Sequence, residues 1–476
     1  MKHKIDIVVK YTPYLLLIIT TIYLAFQIIH NCGWLYEDIG KIINSVASGR
    51  FLALKEYIRF SDARLIPLAA FDYNILLICG LYKTVTSFYV LNTIYFLLFV
   101  GSFFLLLRFA LNKVDSSKYN GWIILFSILY VTQRFYDPVY LQLQYAERLV
   151  LPLFLIIILN YISFQKSEKI SSAIIVFLFS VYVTYCKEVN AVVLLVFSLS
   201  NIIFDKSLNR KLKVLNWLLI VNSLIFFIVY FLLIYPQSRS TYYSGTGLSI
   251  IELLEYVIWN QKILIFGIVL TFFRVYSLLF KKANVYILFD SLLFSGIALF
   301  FASILLKLEY FYYYSPVLVF ITPGILFFSK KYFGSMITLG VVFIFFILYF
   351  YKINYSFETI QKRRSEEYAK VEVIAHYIKS NYDIEWIEVA PLVMNDQNLV
   401  YRNWARDLMI DHLRFVSKNN LFNLTKTDII ENSHKKVVIF SNLNILLNKN
   451  ESVEIMDKLS KQPNFSLGEI DIFVFD

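Results

Sequence analysis

The stretch YTPYLLLIITTIYLAFQIIHNCGWLYEDIGK, residues 11–41, passes from an unbroken apolar run into a pair of adjacent carboxylates. The apolar part, Tyr11 to Ile29, is longer than the roughly 7–15 residues of a secretory signal core. No small-x-small cleavage site follows it and no lipobox precedes Cys32, so it reads as a retained membrane-spanning helix. Directly beyond it stand Glu37 and Asp38, with Tyr36 before them and Lys41 three residues on. Charge set at the mouth of a membrane helix calls for a chemical reason.

The composition agrees with a membrane chain. Of the 476 residues, 58% are hydrophobic and 18% aromatic, and the mean hydropathy is +0.62. Such values place the chain in the membrane class rather than among soluble globular proteins. The net charge of +11 does not form one basic patch of the kind nucleic acid would need; the basic residues fall in short clusters between apolar runs. Cys32, Cys79 and Cys186 lie far apart, with no CxxC and no disulfide framework.

Further apolar runs of bilayer-spanning character occupy 86–108, 120–136, 147–163, 170–186, 190–204, 215–235, 263–280, 284–306, 311–329 and 332–352. With the first helix, about eleven transmembrane helices are expected, with 190–204 the shortest run. A cytoplasmic N-terminus gathers the basic residues on the inner side: Lys2, Lys4 and Lys10; Arg108, Lys113 and Lys118; Lys166 and Lys169; Lys206, Arg210, Lys211 and Lys213; Lys281 and Lys282; Lys330 and Lys331. The short outer loops carry few. In this frame residues 30–85 form a long outer loop, and its piece RLIPLAAFDYNILLICGLY (64–82) is expected as a helix lying at the interface.

Two domains follow: 1–353, an all-α polytopic membrane domain, and 354–476, a small extracytoplasmic α/β domain. In the second, FETIQKRRSEEYAKVEVIAHYIKSNY and RNWARDLMIDHLRFVSK read as helices. WIEVAPLV, KKVVIFSN and EIDIFVFD read as strands. The tail contains no GxGxxG or GxxxxGK nucleotide-binding signature.

Charged residues beside spanning segments are costly and therefore informative. Here they concentrate at the expected outer ends: Arg64, Asp137, Glu147, Arg148, Lys187, Glu188, Arg239, Lys307 and Glu309, at the level of Glu37 and Asp38. Pro67, Pro138, Pro152, Pro236 and Pro316 lie at or near the same ends, where helices unwind to line cavities. Arg274 and Asp290 depart from this pattern; each lies eight residues from Lys282, so a helical hairpin brings them to equal depth as a structural ion pair.

Acids, bases and tyrosines on an outer face suit glycosyl transfer from a lipid-linked donor. The acceptor hydroxyl needs a general base, which a carboxylate supplies. A prenyl phosphate leaves as a weak base, and arginine or lysine at headgroup level holds it. No cytoplasmic nucleotide sugar reaches that side.

At LYEDIGKIINSVASGRF and SDARLIPLAAFDYNIL the chain resembles the membrane glycosyltransferases of the GT-C superfamily. Within them it is most similar to bacterial polyprenyl-phosphate-sugar-dependent enzymes that decorate O-antigen, such as serotype-converting glucosyltransferases. Their first outer loop tends to read Tyr-Asp-Asp-x-x-Arg, followed by an Asp-Gly-Arg-x-x-Pro-Leu-like stretch. Tyr36, Glu37, Asp38 and Lys41 match the first, with Glu for Asp and Lys for Arg. Asp62, Arg64, Pro67 and Leu68 match the second, with Ala63 where glycine is usual. Weaker echoes are QYAERLVLPLF (Glu147, Arg148) and TYCKEVNAVVL (Lys187, Glu188).

The resemblance covers roughly the first 200 residues of the chain and implies a GT-C-like helical bundle with interfacial helices in its first loop. It also implies catalysis by the outer-loop acids: Asp38, which matches unchanged, as the base, and Glu37 assisting. Lys41, Asp62, Arg64, Glu147, Arg148, Lys187 and Glu188 are the implied substrate contacts, with Arg239, Tyr242 and Tyr243 as lid or acceptor contacts. The expected partners are the lipid-linked sugar donor, an envelope glycan acceptor, and the synthase and flippase that supply the donor. Nucleic acid is not among them, and no cofactor is expected.

Simpler readings compete. Glu37 and Asp38 also suit the start of a surface helix, Arg64 a snorkelling side chain, and Lys187–Glu188 a local pair at a helix end. The segment SRSTYYSGTG has loop composition. The histidines show no metal-ligand spacing, and two neighbouring carboxylates alone do not assign a divalent ion. A transporter or flippase, the alternative class, would carry ionisable groups near the midplane and often an internal repeat. An O-antigen polymerase usually places its large outer loops in mid-chain.

Overall fold

The structure is a computed structural model. It describes residues 2–30, 32, 42, 45–59, 64–143, 145–206, 208–237, 249–260, 262–281, 284–306, 311–381, 386–389, 436–441, 465–467 and 470–475. The chain divides into two compact units, Met1–Cys32, Leu52–Leu76 and Thr86–Glu358 in one, Gly33–Phe51, Leu77–Val85 and Thr359–Asp476 in the other.

The first unit is helical: α1 (Lys2–His30), α2 (Asn74–Ile78), α3 (Val85–Val114), α4 (Asn120–Tyr140), α5 (Glu147–Ser167), α6 (Ile170–Cys186), α7 (Asn190–Phe204), α8 (Arg210–Val229), α9 (Ile250–Asn260), α10 (Ile263–Phe280), α11 (Ile287–Leu305) and α12 (Ser315–Asn381), which runs on into the second unit. Seven helices among the described residues are long and apolar enough to cross a membrane, which marks an integral membrane protein. The apolar helices Asn120–Gln133, Ile170–Cys186 and Asn190–Phe204 are shorter. Apolar faces are exposed, as lipid contact requires: Trp217, Leu218, Val221, Leu224, Ile225 and Ile228 on α8, for example, are all at least 44% exposed.

The apolar stretch Ser315–Leu348 is broken at Gly334, whose φ of 79° and ψ of 172° are non-helical. Only glycine takes that conformation without a Cβ penalty, so the sequence SKKYFG separates two helices there. A second glycine sets an approach distance. A Cβ on Gly296 of α11 would lie 2.5 Å from Ile321 Cγ2 and 3.2 Å from the Ile321 backbone nitrogen, so the absent side chain lets α11 meet α12.

The stretch 64–82 is not the continuous interfacial helix that its apolarity predicts. Arg64–Leu65 (β2) is a short strand paired antiparallel with Ile58–Arg59 (β1), followed by turns, a 3-10 turn at Phe71–Tyr73 and then α2. The reason lies in where the backbone donors go. Leu65 N–H donates to Glu188 Oε1 (3.4 Å) and Leu68 N–H to the Tyr185 carbonyl (3.1 Å), while Pro67 has none to give. Tertiary acceptors take the bonds that a helix would have made internally. A helix absent from the sequence reading appears later, at α9. It is opened by a capping box, in which Glu252 N–H donates to Ser249 Oγ and Ser249 N–H to Glu252 Oε2.

In the second unit the described strands β3 (Trp386–Val389), β4 (Lys436–Ser441), β5 (Phe465–Leu467) and β6 (Ile470–Phe475) form a sheet in the order β3-β4-β6-β5. β3 runs parallel to β4, and β6 is antiparallel to both β4 and β5. The segments WIEV, KVVIFS and IDIFVF, read as strands from their alternation, are three of these; RNWARDLMIDHLRFVSK lies outside the described residues.

Candidate functional site

The expected outer ends of α5, α6 and α7 meet the 64–73 segment in an ionic ring. Arg64 Nη1 lies 3.6 Å from Glu188 Oε2, Lys187 Nζ contacts Glu147 Oε1, and Arg148 Nη2 lies 2.7 Å from Asp72 Oδ1. Two dipeptides do the stitching. Glu147 and Lys187 meet each other, while their neighbours Arg148 and Glu188 reach the two ends of the 64–73 segment. Going round, the charges of Arg64, Glu188, Lys187, Glu147, Arg148 and Asp72 alternate in sign and cancel. Every one of these side chains is at most 9% exposed. Burying that many charges is expensive, and alternation is the arrangement that offsets it.

The ring is held from several sides. Arg148 Nη2 donates to both Asp72 oxygens (2.7 and 2.8 Å), and Nη1 to the Tyr145 carbonyl at 2.9 Å. The guanidinium lies 4.0 Å over the Tyr73 ring. Tyr95 donates to Asp72 Oδ2 at 3.1 Å. Tyr73 in turn donates to the Leu143 carbonyl (2.9 Å), and Asn92 Nδ2 to that of Tyr140 (3.1 Å), which pins the turn before α5. On the other side Lys187 Nζ sits 3.9 Å over the Tyr313 ring. Asn190 Nδ2 donates to the Val183 carbonyl (2.7 Å), holding the α6–α7 break that presents Lys187 and Glu188. Leu65, Ala191, Phe226, Tyr230 and Ile234 form an apolar cluster beside the strand pair, where the end of α8 continues as a π-helical turn, Tyr230–Ile234.

Burial pushes the Asp72 carboxyl up, against the pull of the Arg148 guanidinium and the Tyr95 hydroxyl. Burial, with the Arg64 guanidinium beside it, pushes the Lys187 ammonium well below its usual value, and Glu188 opposes this. The Arg64 guanidinium thus repels the Lys187 ammonium, while each group pairs with a carboxylate of its own. An anion placed between them would relieve their repulsion.

Among the residues expected from sequence, Arg64, Glu147, Arg148, Lys187 and Glu188 come together here. Besides acting on each other, Lys187 and Glu188 each reach a second charged partner, Glu147 and Arg64, from the break after α6 ends at Cys186. Glu37, Asp38, Lys41, Asp62, Arg239, Tyr242 and Tyr243 lie outside the described residues. Sequence reasoning passed over Asp72, although a carboxylate inside an apolar stretch is itself a signal that a partner exists. Tyr73, Tyr95 and Tyr313 carried no such signal in a chain with 36 tyrosines. Among the described residues no group of three or more His, Cys, Asp or Glu side chains is placed to hold a metal ion.

No protein-family model matches this chain, and no curated protein sequence matches it.

Proposed function

We propose that this integral membrane protein is a glycosyltransferase of GT-C-like build, which moves a sugar, a hexose such as glucose, from a polyprenyl-phosphate carrier to an envelope glycan acceptor such as O-antigen. The observation that carries the reading is the buried ring of alternating charge, which concentrates functional-group chemistry at one end of the helical unit. In this reading about eleven helices cross the bacterial inner membrane, the N-terminus is cytoplasmic, and the ring and the C-terminal domain lie on the outer face.

The chemistry divides between binding and proton transfer. Arg64 and Lys187 hold the donor phosphate, and both gain from its negative charge. As the glycosidic bond to phosphate breaks, the same cations stabilise the charge that develops on the leaving group. The proton of the acceptor hydroxyl goes to a carboxylate, assigned to Asp38 with Glu37 assisting; that assignment rests on the YEDIGK resemblance.

Purified protein in liposomes, supplied with labelled polyprenyl-phosphate sugar and acceptor glycan, tests the reading. Transfer should fall at least about a hundredfold in Asp38→Asn, the range expected for loss of a general base. Equal transfer by wild type and variant sinks the assigned mechanism. Carrier flux without a glycan product would instead favour a flippase; the ring's place at helix ends, rather than at mid-helix, argues against that class.

A further inference from the structure

We infer that Asp72 is a positioning residue, which acts through Arg148 to hold the 64–73 segment, and with it Arg64, against the helix end that bears Lys187. This rests on the reading of those two cations as the phosphate site and adds a residue to it.

The geometry is specific. The segment is tied at its two ends, by Arg64 to Glu188 (3.6 Å) and by Asp72 to Arg148 (2.7 Å). Between them, Leu68 N–H donates to the Tyr185 carbonyl at 3.1 Å. Cys186 Sγ donates to the Leu68 carbonyl at 3.5 Å, so the segment covers that thiol. Asp72 and Tyr73 grip Arg148 by edge and face at once, through the carboxylate fork and the ring 4.0 Å below it. Arg148 follows Glu147 in the chain, and Glu147 meets Lys187. One carboxylate thus anchors both the strand that carries Arg64 and the helix end that holds Lys187. Asp72 itself points at Arg148 and Tyr95, so its action on a bound anion is indirect.

Cys186, 1% exposed, supplies a reporter that needs no activity. In a Cys32→Ser/Cys79→Ser background it is the sole thiol. N-ethylmaleimide should label it slowly with Asp72 intact, about tenfold faster in Asp72→Asn, and near the original rate in Asp72→Glu, which keeps the charge. The second arm is kinetic. Asp72→Asn should raise KM for the polyprenyl-phosphate sugar about tenfold with kcat changed less than about threefold, the signature of lost binding rather than lost chemistry. Tyr95→Phe, which removes one donor to Asp72 without altering packing, should move both readouts the same way by less.

Unchanged protection of Cys186 in Asp72→Asn overturns the inference, as does a fall in kcat with KM unmoved, which is what a purely structural residue would give. The inference and the functional reading fail separately. If wild type transfers no sugar, the transfer reading is lost, and the Kd for sugar-free polyprenyl phosphate replaces KM. A Kd that rises in Asp72→Asn then still supports the inference, and a Kd equal in both proteins, or no binding to wild type, overturns it.

Discussion

At one end of the helical unit Arg274 and Asp290, 16 residues apart across a single hairpin, form a two-pronged pair at 2.7 and 2.8 Å. Arg274 also donates to the Asn284 carbonyl and the Tyr332 hydroxyl, and Asp290 accepts from the Tyr286 N–H. At the other end, Arg64, Asp72, Glu147, Arg148, Lys187 and Glu188 come from three distant stretches of chain. The first cluster is local, and Arg274 spends its guanidinium on acceptors within the fold. The second is assembled by tertiary contact, and the buried Nε of Arg148 has no hydrogen-bond partner among the described residues. A buried polar atom left without a partner calls for a reason, and Arg148 Nε is one such atom. Lys330 belongs with the first kind: its ammonium donates to the carbonyls of Leu111 (3.1 Å) and Asp115 (2.8 Å) and to Asn120 Oδ1 (2.8 Å), closing the end of α3.

The contrast can be broken by experiment. The largest effect is expected for Arg148→Met, which leaves the Asp72 carboxylate buried and uncompensated, at about 3–5 kcal/mol. A fall in thermal midpoint with lost transfer is the expected outcome, and an unchanged melt would show that the ring is not the buried network described. Next, replacing both partners separates fold from function. Arg274→Met/Asp290→Leu should stay within about 1–2 kcal/mol of wild type and keep transfer activity, since apolar replacement of a buried pair is often neutral. Arg64→Met/Glu188→Leu should melt similarly but lose transfer. Equal activity in the two double variants would erase the distinction between the ends.

Lys330→Met removes a charged donor from three oxygens and should destabilise by about 1–3 kcal/mol without altering donor KM. The smallest effect concerns Glu252, whose carboxyl is held below its usual value by the Ser249 backbone N–H and hydroxyl. Its folded pKa is depressed, so its support of α9 is present above the ordinary carboxylate value and is lost as pH falls through the folded one. Amide exchange in residues 253–257 should therefore quicken in that acidic window, and Glu252→Gln should abolish the pH dependence.

Several features were open to reading from residues alone. Apolar run length located the helices, because a bilayer demands unbroken apolar sequence whatever the packing. A break between the runs 311–329 and 332–352 was read at Lys330 and Lys331, whereas the non-helical residue is Gly334, a few positions on. The Arg274–Asp290 pair followed from helical spacing in a hairpin, which makes distance along the chain equivalent to distance in space. The 64–82 segment was misread because apolarity alone does not distinguish a helix from a strand and turns bonded to other elements. Lys330 was read only as one of the basic residues of the inner side; that its ammonium is buried against the end of α3 came from the packing.

Composition and apolar run length by themselves determined that this chain lives in a membrane and where its long apolar helices lie, since both depend on local energy terms. Which charges meet in the ring was decided only by tertiary structure. Glu147 and Arg148 differ by one residue and Lys187 and Glu188 likewise, yet all four take different partners. Coulomb attraction in a dry interior acts on whatever distance the packing imposes, and that distance is not written in the chain's order.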